Sequence, residues 1–212
     1  MPHRAETVRP RAPPPPQSRH GTRHPHLRTP AAAPLRPRRR RRGPRRRPGP
    51  GITRWIPLPD PYGTAEAEDF VGRYAPRAWH DDTEYTFSVR PRGRHDGPLL
   101  ASASLHHPRA GTWEVGFYTV REHRGNGYAT EATRTLAHWA FTALGCARLE
   151  WRAEVGNTAS RLVAEKAGFT LEGTLRAAFA RPDSHRDCWL ASLLPSDLGL
   201  PSRTPYLPAR QP

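Results

Sequence analysis

From Gly51 onward apolar residues recur in two rhythms, one helical and one alternating. In "TAEAEDFVGRYAPRAW" Ala67, Phe70, Val71 and Tyr74 stand at helical spacing behind Thr64 as a cap, and Pro76 is expected to end the helix. "EYTFSVR" alternates Tyr85, Phe87 and Val89; "PRGRHDG" supplies a turn, and "PLLASASLHH" and "WEVGFYTV" read as two further strands of an antiparallel meander. Ala132, Leu136, Trp139, Ala140 and Ala143 then mark a helix of about four turns with one face on a sheet, stopped by Gly145. "ARLEWRAEV" is a strand by its Leu149, Trp151, Ala153 and Val155, and "NTASRLVAEKAGF" a helix with Asn157 as N-cap, Leu162 and Val163 inward and Gly168 as its stop. "FTLEG" and "HRDCWLASLL" close as a hairpin. The predicted class is mixed α/β, with a helix crossing between two parallel strands.

The 212 residues carry a formal +15, which alone suggests nucleic-acid binding, but Met1 to Ile52 holds 15 Arg against Glu6 and so accounts for +14 of it. That segment also holds half of the 26 prolines and has almost no apolar periodicity, so residues 1–50 are expected to be a disordered extension. Its arginine run has three readings: a nucleic-acid tail, a solvated extension without a role, or sequence read upstream of a mis-set start. Lys166 as the single lysine beside 33 arginines points to a GC-rich coding sequence, which favours the last. The expected domain is 51–198, followed by a disordered tail, 199–212. Cys146 and Cys188 each lie in apolar runs rather than a CxxC, which argues against a disulfide framework or thiol metal site and for a cytoplasmic setting as small core residues. No run reaches the ~20 apolar residues that span a bilayer, so no membrane partner is expected.

One stretch, "REHRGNGYATEA", joins a strand to a helix through two glycines. The first N–H groups of a helix lack partners and, with the positive end of its dipole, favour a phosphate. Gly125 and Gly127 would let a ligand approach the backbone closely. A tight structural turn accounts for the same residues. No GKS or GKT follows, and the third glycine of the dinucleotide fingerprint is absent.

The order "WEVGFYTV", "RGNGYATEA", "NTASRLVAEKAGFTLEG" resembles the GNAT superfamily of acetyl-CoA dependent N-acetyltransferases, and within it the branch of the RimJ and RimL ribosomal-protein N-terminal acetyltransferases. "RWIPLPDPY" and "RDCWLASLLPSDL" match the branch's early and late segments, so the likeness runs from Thr53 to Leu198. The resemblance implies a GNAT-like fold and backbone N–H groups of Arg124, Gly125, Asn126, Gly127, Tyr128, Ala129 and Thr130 around the coenzyme pyrophosphate. It also implies Val120 pairing with the pantetheine chain. Tyr128 reads equally as a packing aromatic. Asn157 and Ser160 match the family's N-x-x-S, which implies Ser160 near the coenzyme sulfur, able to protonate the leaving thiolate; both also read as a helix cap and its first-turn hydroxyl.

Acetyl transfer needs a neutral amine, since an ammonium has no lone pair. Glu114 is the base that the resemblance implies; an edge carboxylate in solvent is the competing reading. His106, His107 and Glu154 are weaker candidates, and the two histidines lack a third ligand at metal spacing, so no metal is expected. Backbone N–H groups near Phe117 or Tyr118, where the strand bulges, would stabilise the tetrahedral intermediate. The acceptor would be a primary amine, either a protein N-terminal α-amine or a small molecule, and the enzyme a monomer or homodimer. Residues 1–50 lack the family's opening strand and helix, which predicts an unpaired sheet edge. "AAFA" at Ala177 to Ala180 replaces the polar residues that the branch carries after "EGTLR", favouring a less charged acceptor. Two other functions stay open: a nucleic-acid binder acting through its arginine tail, and an inactive remnant.

Overall fold

In the computed structural model, which describes residues 31–34, 54–56, 62–94, 96–109 and 111–209, seven strands form one sheet. They are β1 (Ala31–Pro34), β2 (Glu84–Arg90), β3 (Ala101–Arg109), β4 (Thr112–Thr119), β5 (Arg148–Glu154), β6 (Thr170–Ala180) and β7 (His185–Leu193), in the spatial order β1-β2-β3-β4-β5-β7-β6. The predicted meander is present as β2-β3-β4, antiparallel throughout. The helix α3 (Tyr128–Trp139) carries the chain across to β5, which is parallel to β4. The final hairpin is β6-β7, with β7 set between β5 and β6.

Four expectations change. The sheet edge beside β2 is paired: Ala31–Pro34, assigned from sequence to the disordered extension, runs antiparallel to it with Ala31 opposite Arg90 and Pro34 opposite Phe87. Proline lacks an N–H, and an edge strand is where that loss is tolerated. The rest of the extension, including its arginine run, lies outside the described residues. The first helix does not stop at Pro76: α1 (Thr64–Asp69) passes through a π turn at Phe70–Tyr74 into α2 (Ala75–His80). Pro76 then follows directly on the π turn, where Ala75 N–H reaches back five residues to the Phe70 carbonyl and the wider turn leaves room for the ring. Gly63 rather than Thr64 precedes α1, its N–H bonded to Glu66 Oε2 at 2.7 Å. On α4 (Thr158–Ala167) the buried residues are Ala164 and Ala167, while Leu162 is 50% exposed. Small residues let that helix approach the sheet closely, and the guanidinium of Arg134 on α3 bonds the Lys166 carbonyl to hold the two helices together.

The core lies on one face of the sheet. Tyr85, Phe87 and Val89 of β2, Ala101, Ala103 and Leu105 of β3, Trp113 and Val115 of β4, and Leu149, Trp151 and Ala153 of β5 meet Ala132, Leu136 and Ala137 of α3. Trp79 and Trp139 seal its end edge-on to Tyr85 and Phe87, with ring centres 4.9–5.6 Å apart. The alternating residues point to the opposite face, and many are buried as well: Glu84, Thr86, Ser88, Ser102, Glu150 and Ser192. That second, polar face carries the candidate chemistry. Among the described residues no helix is long and apolar enough to cross a membrane.

Candidate active site

β4 and β5 pair only over Thr112–Arg148, Trp113–Leu149 and Glu114–Glu150. Beyond that point β4 stays with β3 as far as Thr119, and β5 stays with β7 as far as Glu154. Each strand therefore presents backbone polar groups to a wedge between them, and buried groups of this kind need partners. Val120 N–H donates to the Leu100 carbonyl at 3.0 Å, on the β3 side, and the Val120 carbonyl accepts from His123 at 2.8 Å. Successive residues alternate sides, so Phe117 and Thr119 turn their N–H groups toward the wedge, while Tyr118 faces β3. Two corrections follow. Val120 is committed to closing the strand end and has no N–H left for pantetheine. β4 also keeps its register with β3 from Glu114 to Thr119, and the irregularity falls instead between His106 and Arg109, so no bulge presents Phe117.

At the wide end of the wedge a 3-10 turn, Arg121–His123, leads into the glycine loop. Gly125 and Gly127 have φ of 81° and 77°, the left-handed region that a Cβ penalises, and a Cβ built on either would meet nothing within 4 Å. The space over the loop is open. Asn126 ties the turn through Nδ2 to the carbonyls of His123 and Arg124, at 3.1 and 3.2 Å. No side chain caps α3, and its first backbone bond runs from Glu131 N–H to the Gly127 carbonyl. The N–H groups of Tyr128, Ala129 and Thr130 thus point out of the helix end beside open space. These residues fit a pyrophosphate. Tyr128 itself packs half-buried against the core, and Arg124 turns back to the Thr119 carbonyl at 3.4 Å, so the loop offers backbone N–H groups rather than these side chains.

Glu114 stands at the vertex where the strands part, on the polar face, about one-third exposed. Arg152 Nε lies 3.7 Å from its Oε2 and is buried without a hydrogen bond. Burial pushes the Glu114 carboxyl upward, opposed by Arg152 and His106 and reinforced by Glu150. A raised carboxylate is a better proton acceptor near neutral pH. Glu150, its register partner on β5, is 1% exposed and takes hydrogen bonds from Arg109 (2.7 Å), Arg148 (2.9 Å) and Arg152 (3.0 Å). Burial alone would raise that acid, but the bonds from Arg148 and Arg152 outweigh it and hold it ionised. Sequence reasoning missed this cluster because Glu150 and Arg152 alternate on a strand as solvent-facing residues do.

Arg148 reaches on to Glu172 with two bonds, at 2.9 and 2.6 Å, and together with Ser192 it pulls that carboxyl down to about 2. Because Glu150 and Glu172 are depressed in the fold, their contribution is complete above the unfolded value of about 4.3 and is lost as pH falls toward 2. Thermal melts should hold steady down to that unfolded value and drop below it; an Arg148→Gln variant should show a flatter acid limb.

Asn157 Oδ1 accepts from Ser160 N–H at 3.3 Å, so Asn157 caps α4. Ser160 Oγ accepts from the Trp151 indole N–H at 3.1 Å. Trp151 is the first residue of β5 past the vertex, which sets the Ser160 hydroxyl beside the wedge on its apolar face. Glu154 is paired with Arg181 at 2.7 Å, further along β5, and the side chain of His107 lies outside the described residues. Cys146 and Cys188 are buried, and burial pushes both thiols up, Cys146 to about 11. Neither is a nucleophile at neutral pH.

A parallel crossover whose helix opens on an uncapped glycine loop, beside strands that part, places the chain in the mixed α/β class. Within that class the chain belongs to the GNAT family, since the model of the acetyltransferase (GNAT) domain matches residues 46–170. It is 36% identical over 105 residues to the "Putative ribosomal N-acetyltransferase YdaF" of Bacillus subtilis, a stretch covering 47% of this chain and 56% of that one. The chain thus spans little more than half the length of this relative. A GNAT-family acetyltransferase structure from Bacillus anthracis superposes with a TM-score of 0.61 at 20% identity, covering 70% of this chain and 84% of that one. RimJ of Mycobacterium smegmatis in complex with CoA-disulfide does so with 0.59 at 22%, covering 68% and 71%. Both likenesses are of fold.

Proposed function

We propose that the protein is an N-acetyltransferase that moves the acetyl group of acetyl-CoA to a primary amine, either a protein N-terminal α-amine or a small molecule. The observation that carries this reading is the coincidence of the uncapped glycine loop with the wedge between β4 and β5. The N–H groups from Gly125 to Thr130 hold the pyrophosphate, and the pantetheine arm pairs with the free β4 backbone at the Thr119 N–H and the Phe117 carbonyl. The thioester then reaches the vertex. Glu114 takes the proton of the attacking amine, and the N–H of Phe117 stabilises the oxygen of the tetrahedral intermediate. As the C–S bond breaks, the Ser160 hydroxyl protonates the thiolate and regains its own proton from solvent. The two buried free thiols suit a reducing, cytoplasmic setting.

The test is acetyl transfer by the full chain to a spermidine probe and a short peptide with a free N-terminal alanine, followed by mass spectrometry. A mass gain of one acetyl group on either, dependent on acetyl-CoA, supports the reading; acetyl-CoA binding without transfer to any amine contradicts it. Ser160→Ala should lower kcat about tenfold at unchanged amine KM. It should also cost about 1 kcal/mol of stability, because the Trp151 indole N–H loses its acceptor.

A further inference from the structure

The polar face of the sheet holds a second group of chemistry-bearing side chains next to Glu114, on β2 and β3. His106 Nδ1 lies 3.3 Å from Glu84 Oε2, and its Nε2 lies 3.0 Å from Ser104 Oγ. Glu84 is buried and fully engaged, accepting from Thr86 Oγ1 at 2.6 Å and from the Tyr74 hydroxyl at 3.0 Å. The imidazole is therefore fixed at both nitrogens. It leans across the sheet toward the wedge: a Cβ added at Gly116 would lie 3.2 Å from His106 Nε2 and 3.3 Å from Ser104 Oγ. Glycine in "VGFY" is thus the space that the ring occupies, one residue before Phe117. In the register of β3 and β4, His106 stands opposite Glu114.

We propose that His106, oriented by Glu84 and seated over Gly116, is the proton relay of the site, receiving from Glu114 the proton that leaves the acceptor amine. The inference rests on the transferase reading of the wedge. The N–H bond of the attacking amine breaks toward a Glu114 oxygen, and the proton passes through solvent in the wedge to the imidazole. The side chain of His106 is 43% exposed and returns the proton to bulk water. Glu84 offsets the charge while it resides there, and Glu114 is again ionised for the next turnover. His106 acts through Glu114 and not on the substrate, so it is a positioning residue. The charged and titratable groups around it are Glu84 on β2, Tyr74 in the π turn, Glu114 on β4, and Arg152 and Glu150 on β5. Burial would lower the ring's affinity for a proton, but Glu84 first and Glu114 second outweigh it and raise it above the ordinary histidine value, as a relay between a carboxylate and water requires.

Two experiments on the full chain separate this inference from the function on which it rests. In the first, the pH dependence of kcat is measured with acetyl-CoA and the spermidine or peptide probe for wild type, His106→Gln and Gly116→Ala. Both variants should lose about tenfold or more in kcat near pH 7 and flatten the acid limb, while acetyl-CoA affinity by calorimetry stays within about twofold. Wild-type rates and an unmoved pH profile in His106→Gln would overturn the relay while leaving the transferase standing. In the second, which needs no acceptor, the His106 ring is titrated by NMR. Its midpoint should fall in Glu84→Gln and also in Glu114→Gln, since each removes a charge that favours the protonated ring. A midpoint that ignores Glu114→Gln would overturn the inference even where wild type transfers acetyl groups, and absent transfer with the coupling intact would overturn the function and the relay with it, leaving only the electrostatic link between the two side chains.

Discussion

Replacing Gly127 with valine is expected to weaken acetyl-CoA binding by at least about tenfold, or roughly 1.4 kcal/mol, with a small loss of fold stability. Gly127 stands at φ 77° with open space where a Cβ would go, so a β-branched residue acts twice. It strains the left-handed backbone by about 1–2 kcal/mol, and its methyl groups enter the space over the uncapped end of α3, where the phosphates would sit. Gly93 supplies the control. It lies in the turn between β2 and β3 with φ 71° and equally open surroundings, so Gly93→Val carries the same backbone strain away from the wedge. Calorimetry should find acetyl-CoA affinity unchanged in that variant and reduced in Gly127→Val. Equal affinities in the two would leave the loop as a structural turn.

The second large effect is expected at Glu114. Glu114→Gln should lower kcat/KM by about a hundredfold to ten-thousandfold near neutral pH while leaving acetyl-CoA affinity intact. The sign of its pH dependence follows from its surroundings. Burial, helped by Glu150, lifts the carboxyl above its ordinary value against the pull of Arg152 and His106. A base works when ionised, so activity should rise with pH along a limb lying above the usual carboxylate value of about 4.3. Initial rates from about pH 5 to 9 should show that limb in wild type and lose it in Glu114→Gln. A limb that survives the substitution belongs to another group.

Much of this architecture was legible in the sequence because the hydrophobic pattern answers directly to one face of a sheet. Tyr85, Phe87, Val89, Leu149, Trp151 and Ala153 alternate in the chain and are buried in the fold, and the glycine loop falls at the junction where the alternating rhythm becomes helical. The failures also have physical causes. Pro76 reads as a breaker, yet the π turn just before it widens the helix enough to admit its ring. Leu162 and Val163 read as a buried face, yet close approach of α4 to the sheet selects Ala164 and Ala167. The short strand Ala31–Pro34 has no apolar rhythm, because edge pairing is made by the backbone.

The candidate site was legible in part for a related reason. Glu114, Asn157 and Ser160 sit in a recognisable order, but the partners that tune Glu114 come from two other strands: His106 on β3, and Glu150 with Arg152 on β5. Polar residues alternating with apolar ones normally mean water on the second face. Here part of the second face is itself buried, and only the assembled sheet reveals that Glu150 is enclosed by three arginines. Val120 shows the opposite limit: it ends the strand in sequence, but the direction of its N–H was fixed only by the bond to Leu100.

The proposed transfer requires the donor to lie between the glycine loop and the parted strands, and a titration of the isotope-labelled full chain with acetyl-CoA tests this directly. The amide signals of Gly125 to Thr130, together with those of Phe117 and Thr119, should move saturably and more than those of the β6-β7 hairpin. Absence of saturable shifts, or shifts centred away from α3 and β4, would contradict it.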